Sequence, residues 1–224
     1  MTRPSCLLAV LRAVVTALLV LSGSIAVPIL CRFFYYLHIG PLGLVEQTGL
    51  SADQIRQAYN EMMDFCIGRT EVFSAGVLPF SESGRDHFAD VGVLFRLDLA
   101  ILAGSLAAWL LLWFLGRRTR RVPARLLGHG PGFWAAVGLG AVFLIIGALA
   151  ALDFDRAFVL FHTVFFPGKT NWVFDWRTDP IILLLPQSFF RNCALLILGV
   201  LLLWCGALVA LDLRTRRKHR IPSA

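Results

Sequence analysis

Phe161-His162-Thr163-Val164-Phe165-Phe166-Pro167-Gly168 lies within a longer stretch, residues 155–191, whose placement decides the fold. Long apolar runs precede and follow it, at 133–152 and 193–211, so the stretch leaves a membrane and returns to it on the same side. A histidine stands among phenylalanines and a Pro-Gly break follows. Trp172, Phe174, Trp176, Asp179-Pro180, Pro186 and Phe189-Phe190 come next. Aromatic rings suit the depth where hydrocarbon gives way to water, because they tolerate both phases. His162, with Asp155 and Asp179 in the same stretch, is a candidate for proton chemistry at headgroup depth.

Working outward, 58% of the residues are hydrophobic and the mean hydropathy is +0.73, which excludes an ordinary soluble domain. Four segments have the length and apolarity of spans: 13–30, 97–115, 133–152 and 193–211. Hydrocarbon leaves the backbone no partner but itself, so these spans are helices. The expected fold is an all-α membrane protein. It has four transmembrane helices and an extracytoplasmic cap made of two inter-helix segments, 32–95 and 154–191, in one domain of 224 residues.

The net charge of +7 does not imply nucleic acid, because of where the bases lie. Arg117, Arg118, Arg120, Arg121 and Arg125 fall in the loop 116–130. Arg214, Arg216, Arg217, Lys218 and Arg220 fall in the tail 212–224, and Arg3 and Arg12 precede the first span. Four crossings put all three places on one side, which the positive-inside rule makes cytoplasmic, with both termini there. The other side carries Glu46, Asp53, Glu61, Asp64, Glu71, Glu82, Asp86 and Asp90. A cleaved signal peptide ending in Ser-Gly-Ser-Ile-Ala competes with an uncleaved first span. The apolar run continues to Leu30, which favours the span. Cys6, Cys31, Cys66, Cys193 and Cys205 show no metal-binding spacing; Cys31 and Cys66 share the outer side, where a disulfide is possible but not demanded.

Within the first outer segment, Arg32-Phe33-Phe34-Tyr35-Tyr36 reads as an interfacial anchor. Ser51 and Gln54 form a capping-box pair that opens an amphipathic helix. Ile55, Ala58, Tyr59, Met62 and Cys66 make its apolar face, Asp53, Arg56, Gln57, Asn60, Glu61 and Asp64 its polar one, and Gly68 its stop. The loop around Leu78-Pro79-Phe80-Ser81 then leads into a helix that continues into the second span. His87, Asp90, Leu94 and Asp98 share one face of it. Asp98, at the start of the apolar run, is either a functional acid or the partner of Arg96. Asp155, Phe158, His162 and Phe166 likewise share a face.

His87 and His162 thus come from separate outer segments. A neutral imidazole accepts a proton near physiological pH, which makes the two a general acid–base pair or, on the plainer reading, structural histidines. His38 reads as interfacial, and His129 and His219 go with the basic loops. No G-x-S-x-G elbow, HExxH, Walker loop or dinucleotide fingerprint occurs, and no cofactor is implied. Zinc on His87, Asp90 and His162 is conceivable, but the spacing is not diagnostic.

Phe161-His162-x-x-Phe165-Phe166-Pro167-Gly168, Trp172-x-Phe174-Asp175, Asp179, Leu185-Pro186 and Phe189-Phe190, with Leu78-Pro79-Phe80-Ser81, His87 and Asp90-Val91, resemble a family of four-span bacterial membrane proteins. That family includes the lipoprotein intramolecular transacylase. Gln187, where many relatives carry an acid, and Lys169, which interrupts a glycine pair, depart from its pattern. The resemblance implies transfer of the sn-2 acyl chain of a diacylglyceryl-cysteine lipoprotein to that cysteine's own α-amine, giving a lyso-form lipoprotein in the bacterial plasma membrane. Nucleophile and electrophile then both belong to the substrate, so the enzyme needs no Ser or Cys nucleophile. His162 is the expected base and His87 its orienting or protonating partner, with the reverse assignment open. Phe161, Phe165, Trp172, Trp176 and Phe189, with Asp155 and Asp179, are the expected substrate-binding residues, and Arg85, Arg177 or Arg191 the expected oxyanion donor. The alternatives are a non-enzymatic membrane module that binds lipid or a partner through the aromatic cap, and a metal-dependent lipid hydrolase.

Overall fold

The computed structural model describes residues 3–220, with side chains through Arg216; Arg217, Lys218, His219, Arg220 and residues 221–224 of the expected basic tail lie outside that description. The elements in order are β1 (Arg3–Ser5), α1 (Cys6–Leu30), α2 (Arg32–Tyr36), α3 (Leu44–Thr48), α4 (Ala52–Cys66), α5 (Glu82–Arg118), β2 (Arg121–Pro123), α6 (Pro131–Leu152), α7 (Phe154–Phe165), a 3-10 turn (Pro180–Leu184) and α8 (Gln187–Arg220). α1, α5, α6 and α8 are long and apolar enough to cross a membrane, their most apolar windows averaging 2.1 to 2.8 in hydropathy. The protein is a multi-pass membrane protein. Leu106, Leu110, Phe114, Val142, Ile145, Leu195 and Leu203 stand exposed on these helices, the surface a hydrocarbon solvent requires.

Two helices extend beyond their apolar spans, α5 as the sequence predicted. α1 begins at Cys6, so Arg12 lies within the helix instead of preceding it. α5 begins at Glu82 and runs 37 residues. At 1.5 Å per residue that is about 55 Å, against about 30 Å of hydrocarbon. Its first turns carry Glu82, Arg85, Asp86 and Asp90, and its apolar residues come later.

The chain divides into two compact units. The first comprises residues 1–25, 99–148 and 197–224. Val20, Ala136, Leu201 and Cys205 form its buried centre, with Leu139, Phe143 and Leu208 packed against them. β1 pairs in parallel with β2, Pro4 opposite Val122, an element nothing in the sequence foretold.

The second unit comprises residues 26–98 and 149–196 and carries the candidate site. Tyr35 and Tyr59 stack at 3.7 Å between ring centroids, Phe189 meets Tyr35 edge-on, and the Tyr35 hydroxyl donates to the Leu184 carbonyl at 2.9 Å. α4 buries Ile55, Ala58, Tyr59, Met62, Met63 and Cys66, and both halves of its Ser51–Gln54 capping box are made. Its polar face binds neighbours: Arg32 donates to the Asn60 carbonyl and to Asp64 Oδ1, each at 2.7 Å. Glu61 accepts from Ser74 Oγ at 2.6 Å and from the Gly76 amide at 3.0 Å, which holds its carboxyl below the usual range against the opposing effect of burial. Cys31 and Cys66 are both free thiols.

Candidate active site

α7 presents His162. Asp153 caps its start by accepting from the Arg156 amide at 2.9 Å, and the Pro167-Gly168 break follows its end. The amphipathic pattern turns His162 inward, so that only 8% of it is exposed. Its Nδ1 stands 2.8 Å from the Phe158 carbonyl one turn back. A carbonyl only accepts, so Nδ1 carries the proton and the lone pair of the neutral ring is on Nε2. Sequence position and helix geometry together fix the tautomer a base needs. Burial pushes the His162 pKa below the usual histidine value, and the bond to Phe158 opposes that only in part.

α5 presents His87, 5% exposed, from its second turn. The two imidazoles lie near-parallel with centroids 5.9 Å apart. Phe166 touches both rings, at 5.0 Å from His87 and 5.7 Å from His162. Phe174 flanks His87 at 5.4 Å, while Phe158 and Trp172 flank His162 at 4.3 and 4.7 Å. Among the described residues His87 Nδ1 has no hydrogen-bond partner. A buried polar atom without a partner costs about 1–3 kcal/mol, a cost that binding sites tolerate and packing does not favour.

Two polar ties hold the helix of His87 against the loop that follows α7. Asp179, 4% exposed, accepts from the Ser81 amide and from Ser81 Oγ, both at 2.8 Å, and from Thr178 Oγ at 2.7 Å. Ser81 Oγ in turn accepts from the Gly84 amide at 3.0 Å and so caps α5. Gly84 has to be glycine: a Cβ there would lie 2.1 Å from Asp179 Oδ1. One turn past His87, Asp90 pairs with Lys169 and accepts from Asn171 Nδ2 at 3.1 Å. Burial would raise the Asp90 carboxyl, and the contact with Lys169 is its counterweight. The distance between the imidazoles is therefore set by carboxylates that touch neither ring.

No thiol is available as a nucleophile beside the rings. Cys66, near His87, points its Sγ at the Phe88 carbonyl 3.5 Å away, and burial pushes its thiol up to about 12. Among the described residues no three His, Cys, Asp or Glu side chains are grouped to hold a metal ion. The arrangement can move protons between bound groups in a water-poor place.

The family model of the lipoprotein intramolecular transacylase Lit matches residues 10–190. The chain belongs to the Lit family. It is an acyltransferase, not the non-enzymatic membrane module that the sequence also allowed. The solved structure of Lit from Bacillus cereus, a membrane-integral lipoprotein intramolecular transacylase, superposes with a TM-score of 0.79 at 21% identity over 96% of each chain. Two variants of that protein, with one histidine replaced by arginine or by alanine, give TM-scores of 0.76 and 0.75 at 20% identity. They cover 96% and 95% of this chain, and 94% of theirs. At such identity the likeness is one of fold. No curated protein sequence matches the chain.

The structure places the residues expected in a Lit site unevenly. His87, His162, Phe161 and Trp172 come together, and Phe165 joins them through Phe161 at 4.6 Å. Phe189 lies in the Tyr35–Tyr59 cluster, and Trp176 is exposed beneath the Arg177 guanidinium. Asp155 accepts from Gln187 Nε2 at 2.9 Å, and Asp179 holds Ser81. Both departures from the family pattern, Gln187 and Lys169, thus make specific polar contacts. Asp98 is not paired with Arg96, which donates to the Cys66 carbonyl at 3.2 Å. Arg85 and Arg177 pair with the neighbouring Asp86 and Asp175. Phe158, Phe166, Phe174, Ser81 and Gly84 belong to the site and were not expected there. The i±4 spacing of Phe158 and Phe166 from His162 was the available signal for the first two.

Proposed function

We propose that His162 and His87 divide the proton transfers of the transacylation between them. The substrate's α-amine nitrogen attacks the carbonyl carbon of its own sn-2 ester, forming the amide C–N bond and breaking the C–O bond to glycerol. One proton leaves the nitrogen and one arrives on the glyceryl oxygen, so the enzyme ends as it began. His162 Nε2 takes the first proton and passes it to His87, which delivers it to the glyceryl oxygen, so both rings return to the neutral form that burial favours. The observation that carries this reading is the bond from His162 Nδ1–H to the Phe158 carbonyl, which leaves Nε2 basic beside a second buried imidazole. General acid–base catalysis of this kind contributes about 10²–10⁴-fold.

The surroundings support the positional half of the chemistry. With 5% and 8% exposure the two rings sit where water, whose attack would merely hydrolyse the ester, is scarce. α7 shows Leu160, Phe161, Val164 and Phe165 on its outer surface, an apolar face suited to the departing and arriving acyl chain. Holding amine against ester in one molecule supplies part of an effective-molarity gain that reaches about 7–11 kcal/mol in ideal cases. The substrate is a diacylated lipoprotein, and the site faces the outer leaflet. The bases at Arg117–Arg125 and Arg214–Arg220 favour termini in the cytoplasm.

The test is mass spectrometry of a reporter lipoprotein from cells expressing His162→Gln or His87→Gln, with thermal unfolding in detergent to confirm folding. Each variant should fold and lose the lyso-form product by at least about a hundredfold. Undiminished N-acylation in His162→Gln ends the proposal.

A further inference from the structure

The first unit has a charge imbalance that the transacylation does not use. Its three segments contain a single acid, Asp212, against twelve arginines and lysines. Asp212 is already taken: Arg125 Nη2 and the Gly130 amide donate to Oδ1 at 2.8 and 2.9 Å, and His129 Nδ1 stands 2.7 Å from Oδ2. The remaining cations of the unit have no carboxylate to meet within it.

Four of them gather round one cleft. Arg12, Arg117, Arg120 and Arg121 line a space of about 340 Å³, with Trp113 and Gly116 completing its wall. Arg12, half-buried within the apolar helix α1, donates Nη2 to the Leu112 carbonyl at 3.2 Å. The Arg117 guanidinium lies 4.1 Å over the Trp113 ring, which holds it in place without neutralising it. Gly116 lets the backbone of β2 come close: a Cβ there would stand 3.1 Å from the Arg121 carbonyl and 3.3 Å from Arg12 Nη2. Arg120 adopts φ +53°, a conformation that favours glycine, at the turn from α5 into β2.

We propose that this arginine cleft binds a phosphate-bearing anion, supplied in a membrane by the headgroup of an acidic phospholipid. Guanidinium forks match phosphate oxygens in shape and charge, and the indole at the end of an apolar helix sits at headgroup depth. Basic pockets between spans are a recognised form of anionic-lipid site. The site belongs to the first unit and is independent of the proposed histidine chemistry.

The test uses the full-length protein in a neutral detergent. Short-chain phosphatidylglycerol, phosphatidylcholine and inorganic phosphate are titrated separately, with binding read by native mass spectrometry and by thermal shift. Phosphatidylglycerol should bind and stabilise at least about tenfold more strongly than phosphatidylcholine, and less at raised salt. Arg117→Gln with Arg121→Gln should lose at least about tenfold of that affinity, while Arg214→Gln, outside the cleft, keeps it. Competition by inorganic phosphate supports recognition of the phosphate itself; binding of phosphate with no lipid preference supports the anion site and removes the lipid as its source. Equal binding of both lipids without phosphate binding, or wild-type affinity in the double variant, overturns the proposal. The headgroup preference of the unaltered protein needs no variant to fold.

Discussion

Gly84→Ala perturbs the imidazole pair without touching either ring. Its new Cβ would fall 2.1 Å from Asp179 Oδ1, 2.8 Å from Asp179 Cγ and 3.2 Å from Phe174 Cε1. Helix α5 cannot shift without moving His87, so the Asp179 carboxylate must swing away and release Ser81 N and Ser81 Oγ. Hydrogen bonds to a charged group contribute about 1.5–3 kcal/mol each, so losing two costs about 3–6 kcal/mol. Alanine's better helix propensity offsets about 1 kcal/mol, leaving a net loss of about 2–5 kcal/mol. The assay is thermal unfolding in detergent beside mass spectrometry of the reporter lipoprotein, and both midpoint and product should fall. Asp179→Ala removes the group the methyl would strike, so in that background Gly84→Ala should cost almost nothing. An unchanged midpoint in the single variant, or the same loss in both backgrounds, refutes the account.

Three further outcomes follow from the same geometry. The His162 ring, followed by NMR of labelled protein, should titrate below about 6.5, since burial disfavours its charged form more than Phe158 favours it. Because the folded value is depressed, the neutral ring stabilises the fold fully above about pH 6.5, and that contribution disappears as pH falls through the folded value; a midpoint above 7 contradicts this. Tyr35→Phe keeps the stack on Tyr59 but strips the Leu184 carbonyl of its donor, which should cost about 1–3 kcal/mol by thermal shift. Lys169→Met leaves Asp90 with Asn171 alone; the pair is partly exposed, so stability should change by less than about 1 kcal/mol while lyso-form production slows.

What the sequence made legible is what local chemistry determines. Apolar runs with no room for charge announce spans, and the Ser51–Gln54 pair and the periodicity of Ile55 to Cys66 announce α4 and its buried face. His162 was legible by spacing, since a ring four residues after Phe158 on a helix can reach that carbonyl. Contacts between distant parts of the backbone were not. Nothing in Arg3–Ser5 says that it pairs with Arg121–Pro123, because a parallel ribbon is held by backbone groups and leaves no side-chain pattern to read. Asp179 shows the same limit at the site. A carboxylate among aromatics reads as a substrate group, but its partners at Ser81 lie 98 residues away, and no local pattern encodes a bond of that reach. Gly84 shows the other half of that contact: it sits in the first turn of a helix, where glycine is a poor choice, directly against Asp179. A glycine that weakens its own helix beside a buried acid is the trace such a clamp leaves in sequence, legible once the acid's position is known. The distance between the two histidines thus rests on residues chosen for closeness of approach, which is why the pair could be put forward from the sequence and the supports that space the rings could not.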